Sequence, residues 1–204
     1  MTQQERSAAT QQALLEAALG SLIELGYERS TTIEITERAG LSRGGQQHHF
    51  PTRAALMAAV VQNLAERAIQ GLQESVEGLP EGPERPAAAL DMMWQVFNAP
   101  LFQVILELSV HARTDPELRA ALDPIERLAG HETTPLARVG FGVDANDRSI
   151  DDAINLVVAT VRGLVVMQLL EPKHRISNQW SVSRQYLLEI VTDALDRRSR
   201  NSRP

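Results

Sequence analysis

Long segments rich in alanine, leucine, glutamate, glutamine and arginine fill most of this 204-residue chain, and its 10 prolines fall largely between them. These five residue types favour the α-helix, whereas proline interrupts it. No segment shows the alternation of apolar and polar residues that predicts a strand. The sequence therefore predicts an all-α protein of about nine helices, with the seventh kinked or broken by Pro124, Gly130 and Pro135.

The composition excludes several kinds of site. Cysteine is absent, so disulfides, thiolate metal sites and a cysteine nucleophile are excluded. A net charge of −6 argues against a protein that coats nucleic acid by charge alone. The polar N-terminus does not resemble a signal peptide. The most apolar segment, residues 153–170, contains Arg162 and is barely of membrane-spanning length. We therefore expect a cytoplasmic protein with no membrane partner.

The beginning of the chain carries the order of elements that is typical of a helix-turn-helix. A first helix is predicted to end at Gly26, a residue type that suits a helix C-terminus. Thr31 can cap a second helix, Gly40 permits a turn, and Ser42 can cap a third helix. A helix, a glycine-containing turn and a capped helix together predict a helix-turn-helix domain, which we assign to residues 1–52.

The third predicted helix, residues 43–49, is polar on almost every side. A core helix would repeat apolar residues at positions i, i+3, i+4 and i+7, and this segment does not. Leu41 and Phe50 flank it and can hold both of its ends. A short polar helix that is held in this way fits the major groove of DNA.

Several side chains of this helix have chemistry suited to DNA. Gln46 and Gln47 could each hydrogen-bond an adenine edge, although two solvated amides would give the same sequence. Arg43 could reach a guanine, a phosphate or a surface carboxylate. Gly44 and Gly45 each lower helix propensity by about 1 kcal/mol relative to alanine. That cost suits close approach of the backbone to the duplex, or it marks a frayed turn.

The neighbouring histidines are not predicted to bind a metal. His48 and His49 project about 100° apart on a helix, so they cannot readily chelate one ion. We predict a phosphate contact for His48 and no metal site.

Residues 10–60 resemble the DNA-binding domain of tetracycline-repressor-like (TetR family) regulators. The resemblance rests on Gly26, Tyr27, Ser30, Thr31, Thr32, Ile35, residues 39–44, residues 48–53 and Leu56. The family usually has Leu-Tyr where this chain has Gln46-Gln47, and that tyrosine contacts a phosphate, so this contact is not carried over. Arg53 stands where the family commonly has lysine, and the resemblance implies a phosphate contact for it.

The resemblance implies a homodimeric transcriptional repressor that binds double-stranded operator DNA and responds to a small-molecule effector, without a cofactor. It also implies that residues 53–204 form a helical ligand-binding and dimerisation domain. The predicted DNA contacts are Thr31, Thr32, Ser42, Arg43, Gly44, Gly45, Gln46, Gln47, His48 and Arg53.

Large, soft side chains predict an apolar effector site in the second domain. Methionine and aromatic residues with few polar neighbours suit an adaptable ligand pocket, although such residues in helices are more often core. The predicted effector contacts are Met93, Trp94, Phe97, Phe102, Ile105, His111, Arg162 and Met167, with His111 and Arg162 as the polar members.

The last two helices are predicted to form a dimer interface. The eighth is apolar on more than one face, which a monomer has difficulty covering. Two such helices can pair with their symmetry mates as a four-helix bundle, although a deep core helix would look similar. The predicted interface residues are Val157, Val161, Leu164, Gln168, Leu187, Ile190 and Val191.

Two other classes of protein stay open on the sequence alone. An α-helical enzyme without a metal would need a nucleophile and a base. Glu107 and His111 share one face of a helix, as i,i+4 pairs commonly do, whereas Ser109 faces elsewhere. No phosphate-binding glycine loop appears. A helical protein-interaction module is the other alternative, because the first 50 residues carry six glutamates against four arginines.

Overall fold

A computed structural model describes residues 2–168 and 173–201, apart from the side chains of residues 43, 100, 101, 128, 129, 173 and 174. Nine α-helices and no strand occur in this described part, which confirms the predicted all-α fold. The helices are α1 (Gln3–Arg29), α2 (Thr32–Arg38), α3 (Arg43–His49), α4 (Arg53–Glu77), α5 (Arg85–Phe97), α6 (Pro100–Ala112), α7 (Pro116–Gly140), α8 (Asp151–Met167) and α9 (Lys173–Asn201). None of these helices is long and apolar enough to cross a bilayer.

A capping box sets the start of α1, and a glycine interrupts the helix near its other end. Thr2 accepts a hydrogen bond from the Glu5 amide at 3.2 Å, and the Glu5 carboxylate accepts one from the Thr2 amide at 2.7 Å. This reciprocal pair is a capping box, which satisfies amides that a helix start leaves free. Near the other end, Gly26 adopts φ +74°, which interrupts the helical path before Arg29. Glycine adopts a positive φ with an extended ψ far more readily than other residues, so this residue type fits the position.

The helices form two compact units, and the first contains the helix-turn-helix. This unit consists of the chain up to Arg67 together with Pro100–Ala129. The helix α6, which the sequence placed in the second domain, therefore belongs to the same unit as α1–α3. The core of the unit is mostly aliphatic and includes Leu14, Leu22, Ile35, Leu56, Met57, Val60, Leu108 and Leu118.

The second unit consists of Ala68–Ala99 and the chain from Gly130 onward. Its core includes Leu90, Met93, Phe141, Ile150, Ile154, Val157, Val161, Ile176, Leu187 and Val191. The nearly buried Arg138 donates two hydrogen bonds to the Asp151 carboxylate, at 2.7 and 2.8 Å, and a third to the Ala145 carbonyl. Burial of this charge is tolerable because a carboxylate and a carbonyl meet it.

Of the two outcomes predicted for the seventh helix, a kink or a break, the break does not occur. α7 runs without interruption from Pro116 to Gly140. Pro124 is exposed, so water can satisfy the carbonyl that a proline leaves unpaired. On the other face, Leu118, Leu122 and Ile125 pack into the first core, and that packing carries the helix through the proline.

Asp147 should make folding stability depend on pH. Its carboxylate accepts hydrogen bonds from the Ser149 amide at 3.0 Å and from Arg198 at 2.6 Å. The bonds from Ser149 and then from Arg198 lower the pKa of Asp147 to about 2. Because this folded pKa lies below the unfolded value, the stabilising contribution is present above about pH 4 and is lost as the pH falls toward 2.

We therefore expect the urea midpoint of Asp147→Asn to depend less on pH than that of the wild type between about pH 4 and pH 2. Asp196→Asn changes an exposed carboxylate on α9 and should keep the wild-type slope. An Asp147→Asn curve parallel to the wild-type curve would contradict the assignment.

Candidate nucleic-acid interface

The predicted helix-turn-helix is present, and hydroxyl groups cap both of its helices. Thr31 accepts the Glu34 amide at 3.2 Å at the start of α2. Ser42 accepts the Gly45 amide at 3.3 Å at the start of α3. Between the helices, Gly40 adopts φ +67°, which a residue with a Cβ rarely adopts. The local sequence therefore specifies both helix starts and the turn.

Ion pairs hold α2 against α1. Arg38 donates to the carboxylates of Glu34 at 2.9 Å and of Glu24 at 2.8 Å. The Arg38 guanidinium lowers the pKa of the Glu24 carboxyl through a hydrogen bond and through its charge. Ser21, which is fully buried, hydrogen-bonds to Glu34 and lies 2.8 Å from the Ser30 hydroxyl. Arg38 is thus engaged within the domain.

Gln46 is not the surface residue that the sequence predicted. Its side chain is only 3% exposed, and its Nε2 donates to the Phe50 carbonyl at 2.5 Å. The Phe50 amide in turn donates to the Gln46 carbonyl at 2.8 Å. Gln46 therefore fixes the end of α3 instead of presenting an amide to DNA. The sequence did not reveal this, because Gln46 and Gln47 have the same side chain and differ only in the direction in which each projects from the helix.

The opposite side of α3 is exposed and polar. Gln47, His48 and Gly44 all face solvent, whereas Gly45 is half-buried. The rings of His48 and His49 lie 5.4 Å apart and nearly perpendicular. No group of three potential metal ligands occurs within the described residues. The Arg43 side chain lies outside the described side chains.

Arg53 is committed to the backbone of its own domain. Its guanidinium donates to the Ser30 carbonyl at 3.1 Å and to the Tyr27 carbonyl, and it lies 4.0 Å from the centre of the Tyr27 ring. The phosphate contact that the resemblance implied for Arg53 is therefore opposed by these internal partners. Thr31 remains exposed and Thr32 half-exposed at the start of α2.

The predicted effector contacts are divided between the two units. Phe102, Ile105 and His111 belong to the first unit. The second unit contains Met93, Trp94, Phe97, Arg162 and Met167.

Within the second unit, aromatic rings bring part of the predicted set together. The rings of Trp94 and Trp180 stack in parallel, with centres 4.7 Å apart. The Arg162 guanidinium lies 5.5 Å from the centre of the Phe97 ring. Met93 is buried in the core, whereas Met167 is exposed at the end of α8. Trp180 is the aromatic residue that sequence reasoning missed.

Most of the predicted dimer residues lie in the core of the chain itself. Val157, Val161, Leu164, Leu187 and Val191 are buried where α8 packs on α9 and on α5. These assignments are therefore corrected, because one apolar face of α8 is satisfied within the protomer. Gln168 is half-buried, and of these seven residues only Ile190 is exposed.

A different face of α8 and α9 leaves apolar side chains in solvent. The exposed residues are Leu156, Val166 and Met167 on α8, with Val182, Tyr186 and Ile190 on α9. The three on α9 are spaced at i, i+4 and i+8, which places them on one side of the helix. A shallow groove of about 430 Å³ opens there, lined by Leu164, Met167, Arg175, Asn178, Gln179, Val182 and Ser183.

Comparisons with known proteins agree with this architecture. Residues 14–60 match the family model "Bacterial regulatory proteins, tetR family". An uncharacterized HTH-type transcriptional regulator of Mycobacterium tuberculosis is 36% identical over 126 residues, which are 61% of this chain and 64% of that protein. The chain thus aligns with somewhat less than two thirds of this relative's length.

Other relatives extend the match. The HTH-type transcriptional regulator CymR of Pseudomonas putida is 32% identical over 82% of this chain and 83% of its own length. The HTH-type transcriptional repressor AcnR of Corynebacterium glutamicum is 35% identical over 54% of this chain and 55% of its own length. The solved structure of the regulator FadR from Bacillus subtilis, in complex with stearoyl-CoA, shares the fold. Its TM-score is 0.61 at 16% identity, over 88% of this chain and 96% of that one.

A capped helix-turn-helix at the start of an all-α chain, with relatives of this kind, places the chain in the class of proteins with an N-terminal helix-turn-helix domain. The match to CymR extends over most of both chains, and the family model that matches residues 14–60 gives the name of the family. The chain belongs to the TetR family.

The two glutamines of α3 should differ in their effect on folding. Gln46→Ala removes the donor to the buried Phe50 carbonyl and should lower the free energy of unfolding by about 1–3 kcal/mol. Gln47→Ala alters an exposed side chain and should change it by less than about 0.5 kcal/mol. Urea denaturation of both variants measures the difference. Equal effects would contradict the burial of Gln46.

Proposed function

We propose that this chain is a dimeric transcriptional repressor whose affinity for operator DNA is controlled by a small, largely apolar effector. The observation that supports it best is the exposed polar face of α3 on a helix that is fixed at both ends. AcnR, at 35% identity, is named a repressor, whereas FasR, at 24% identity, is named an activator, so the more similar of the two favours repression. The named relatives are regulators, which favours a protein without enzymatic activity. Its place of action would be the cytoplasm, where bacterial operator DNA lies.

Gln47 is the proposed base-reading residue of α3. Its exposed amide can donate to and accept from one adenine edge, as a bidentate contact requires. Gly44 and Gly45 would let the backbone approach the duplex. Thr31, Thr32, Ser42 and His48 are proposed to contact phosphates from the starts of α2 and α3 and from the solvent side of α3.

Two copies are proposed to pair through the exposed apolar stripe of α8 and α9. A stripe that includes Leu156, Val182 and Tyr186 would be covered by the same stripe of a second copy, as a two-fold interface requires. Paired recognition helices would then meet successive major grooves, about 34–36 Å apart. The stripe takes the place of the buried set that the sequence suggested.

The effector site is proposed to lie in the second unit, around Trp94, Phe97 and Arg162. Aromatic rings beside a guanidinium suit a ligand with an apolar body and one polar or anionic group. FadR, which shares the fold, was solved with stearoyl-CoA, a ligand that has an apolar chain.

Selection of bound sites from random DNA tests the central proposal. The wild type should enrich a site with two related half-sites. Gln47→Ala should relax selection at one position in each half-site, at a cost of about 1–3 kcal/mol for that base, and leave the salt dependence unchanged. Gln47→Glu, which cannot donate a hydrogen bond, is the matched second variant. Unaltered selection by both variants would refute base reading by Gln47, and no enrichment by the wild type would refute the function.

Two exposed valines test the dimer face. Val182 is 56% exposed on α9 and Val110 is 60% exposed on α6. Val182→Glu places a charge in the proposed interface and should produce monomers in analytical ultracentrifugation, because an unpaired charge is costly to bury. Val110→Glu makes the same chemical change outside the stripe and should leave the dimer intact. Dimers in both variants would exclude this interface.

A further inference from the structure

The i,i+4 pair Glu107 and His111 of α6 contacts the end of α1, inside the unit that contains the helix-turn-helix. The Glu107 carboxylate accepts the main-chain N–H of Tyr27 at 2.5 Å. The His111 ring lies 4.6 Å from the Tyr27 ring, and its Nδ1 lies 3.5 Å from the Glu28 carboxylate. Glu107 and His111, which the sequence left open as part of an enzyme site, therefore both contact the last turn of α1.

The backbone of α1 is shaped to receive this carboxylate. Gly26 adopts φ +74°, and a Cβ added there would lie 2.8 Å from the Glu107 Oε1 atom. A side chain at this position would be strained and would also displace the acceptor. The donor is a main-chain group, so the contact depends on the conformation of α1 and not on a side chain of α1.

Tyr27 links this contact to the rest of the DNA-binding helices. Arg53, at the start of α4, lies over the Tyr27 ring and donates to the Tyr27 and Ser30 carbonyls. The Tyr27 hydroxyl lies 3.3 Å from the carboxylate of Asp115, which caps α7. Burial raises the pKa of this phenol, so the hydroxyl stays protonated and donates. Ser30 directly precedes Thr31, which caps α2.

We propose that Glu107 is a positioning residue for operator recognition, which, together with His111, holds the end of α1 and thereby fixes α2 and α3 in the DNA-binding arrangement. The inference rests on the proposed function. Val104 and Leu108 anchor α6 in the core of this unit, so a carboxylate on this helix can hold the end of α1 in one position.

The test compares specific and non-specific DNA binding of folded variants. Glu107→Leu removes the acceptor and should lower the ratio of selected-site to random-site affinity by about tenfold, within the usual range of coupling between sites. Glu107→Gln keeps an oxygen acceptor for the Tyr27 amide and should restore the ratio to within about twofold of the wild type. Glu117→Leu makes the same change at an exposed position in the same unit and should leave the ratio unaltered.

The ratio separates positioning from general stability. A variant that is merely less folded loses both affinities alike, so its ratio does not change. Hydrogen exchange adds a local readout, because the Tyr27 amide should exchange faster in Glu107→Leu than in Glu117→Leu. If Glu107→Leu does not fold, Glu107→Asp keeps the charge but shortens the side chain, and it should lower the ratio in the same direction.

The outcomes distinguish this inference from the function on which it rests. A wild type that selects no DNA site overturns the proposed function. A wild type that selects a site, with Glu107→Leu or Glu107→Asp folded and unchanged in its ratio, overturns the positioning role alone. A loss in Glu107→Gln as large as in Glu107→Leu would also overturn it, since the hydrogen bond would not be the cause.

Discussion

A seven-residue helix without an apolar face cannot hold itself in place. Isolated helices of this length are unstable in water, because few hydrogen bonds offset the cost of ordering the chain. α3 therefore depends on its two ends, where Ser42 caps its first amides and Gln46 and Phe50 exchange two hydrogen bonds. The buried amide of Gln46 replaces the apolar residue that would ordinarily hold such a helix. The polar outer face of α3 is therefore not needed to hold the helix in place.

Two arginines close to α3 are also engaged in contacts within the domain. Arg38 donates hydrogen bonds to two carboxylates. Arg53 donates to two main-chain carbonyls and lies over the Tyr27 ring. An acidic chain that binds DNA in this way must rely on hydroxyl groups, helix starts and a few exposed side chains. Its affinity should then depend on salt less steeply than that of a basic protein.

What the sequence predicted well was local. Helix caps and turn glycines act over three or four residues, so Thr31, Ser42, Gly26 and Gly40 could be assigned from their neighbours alone. The all-α fold followed from composition. What failed was direction: Gln46 and Gln47 have one chemistry, and only the packing of α3 decides which points inward.

The dimer residues failed for a related reason. The helix α8 is apolar on several faces, of which one is buried within the protomer and another is exposed to solvent, and periodicity does not say which is which. The buried face holds Val157 and Val161, and the exposed one holds Leu156 and Met167. Similarly, the assignment of α6 to the first unit depends on contacts between distant parts of the chain, which no local pattern shows.

The stacked indole rings of Trp94 on α5 and Trp180 on α9 make the tryptophan spectra of this protein sensitive to the structure around them. The chain has two tryptophans, and both lie in this one pair, with ring planes 8° apart. Tryptophan emission therefore comes from a single place in the second unit. Two indoles at this separation also interact strongly enough to change their near-ultraviolet circular dichroism. A molecule that binds between or beside the two rings should therefore change the fluorescence and circular dichroism spectra, and no added label is needed to detect it.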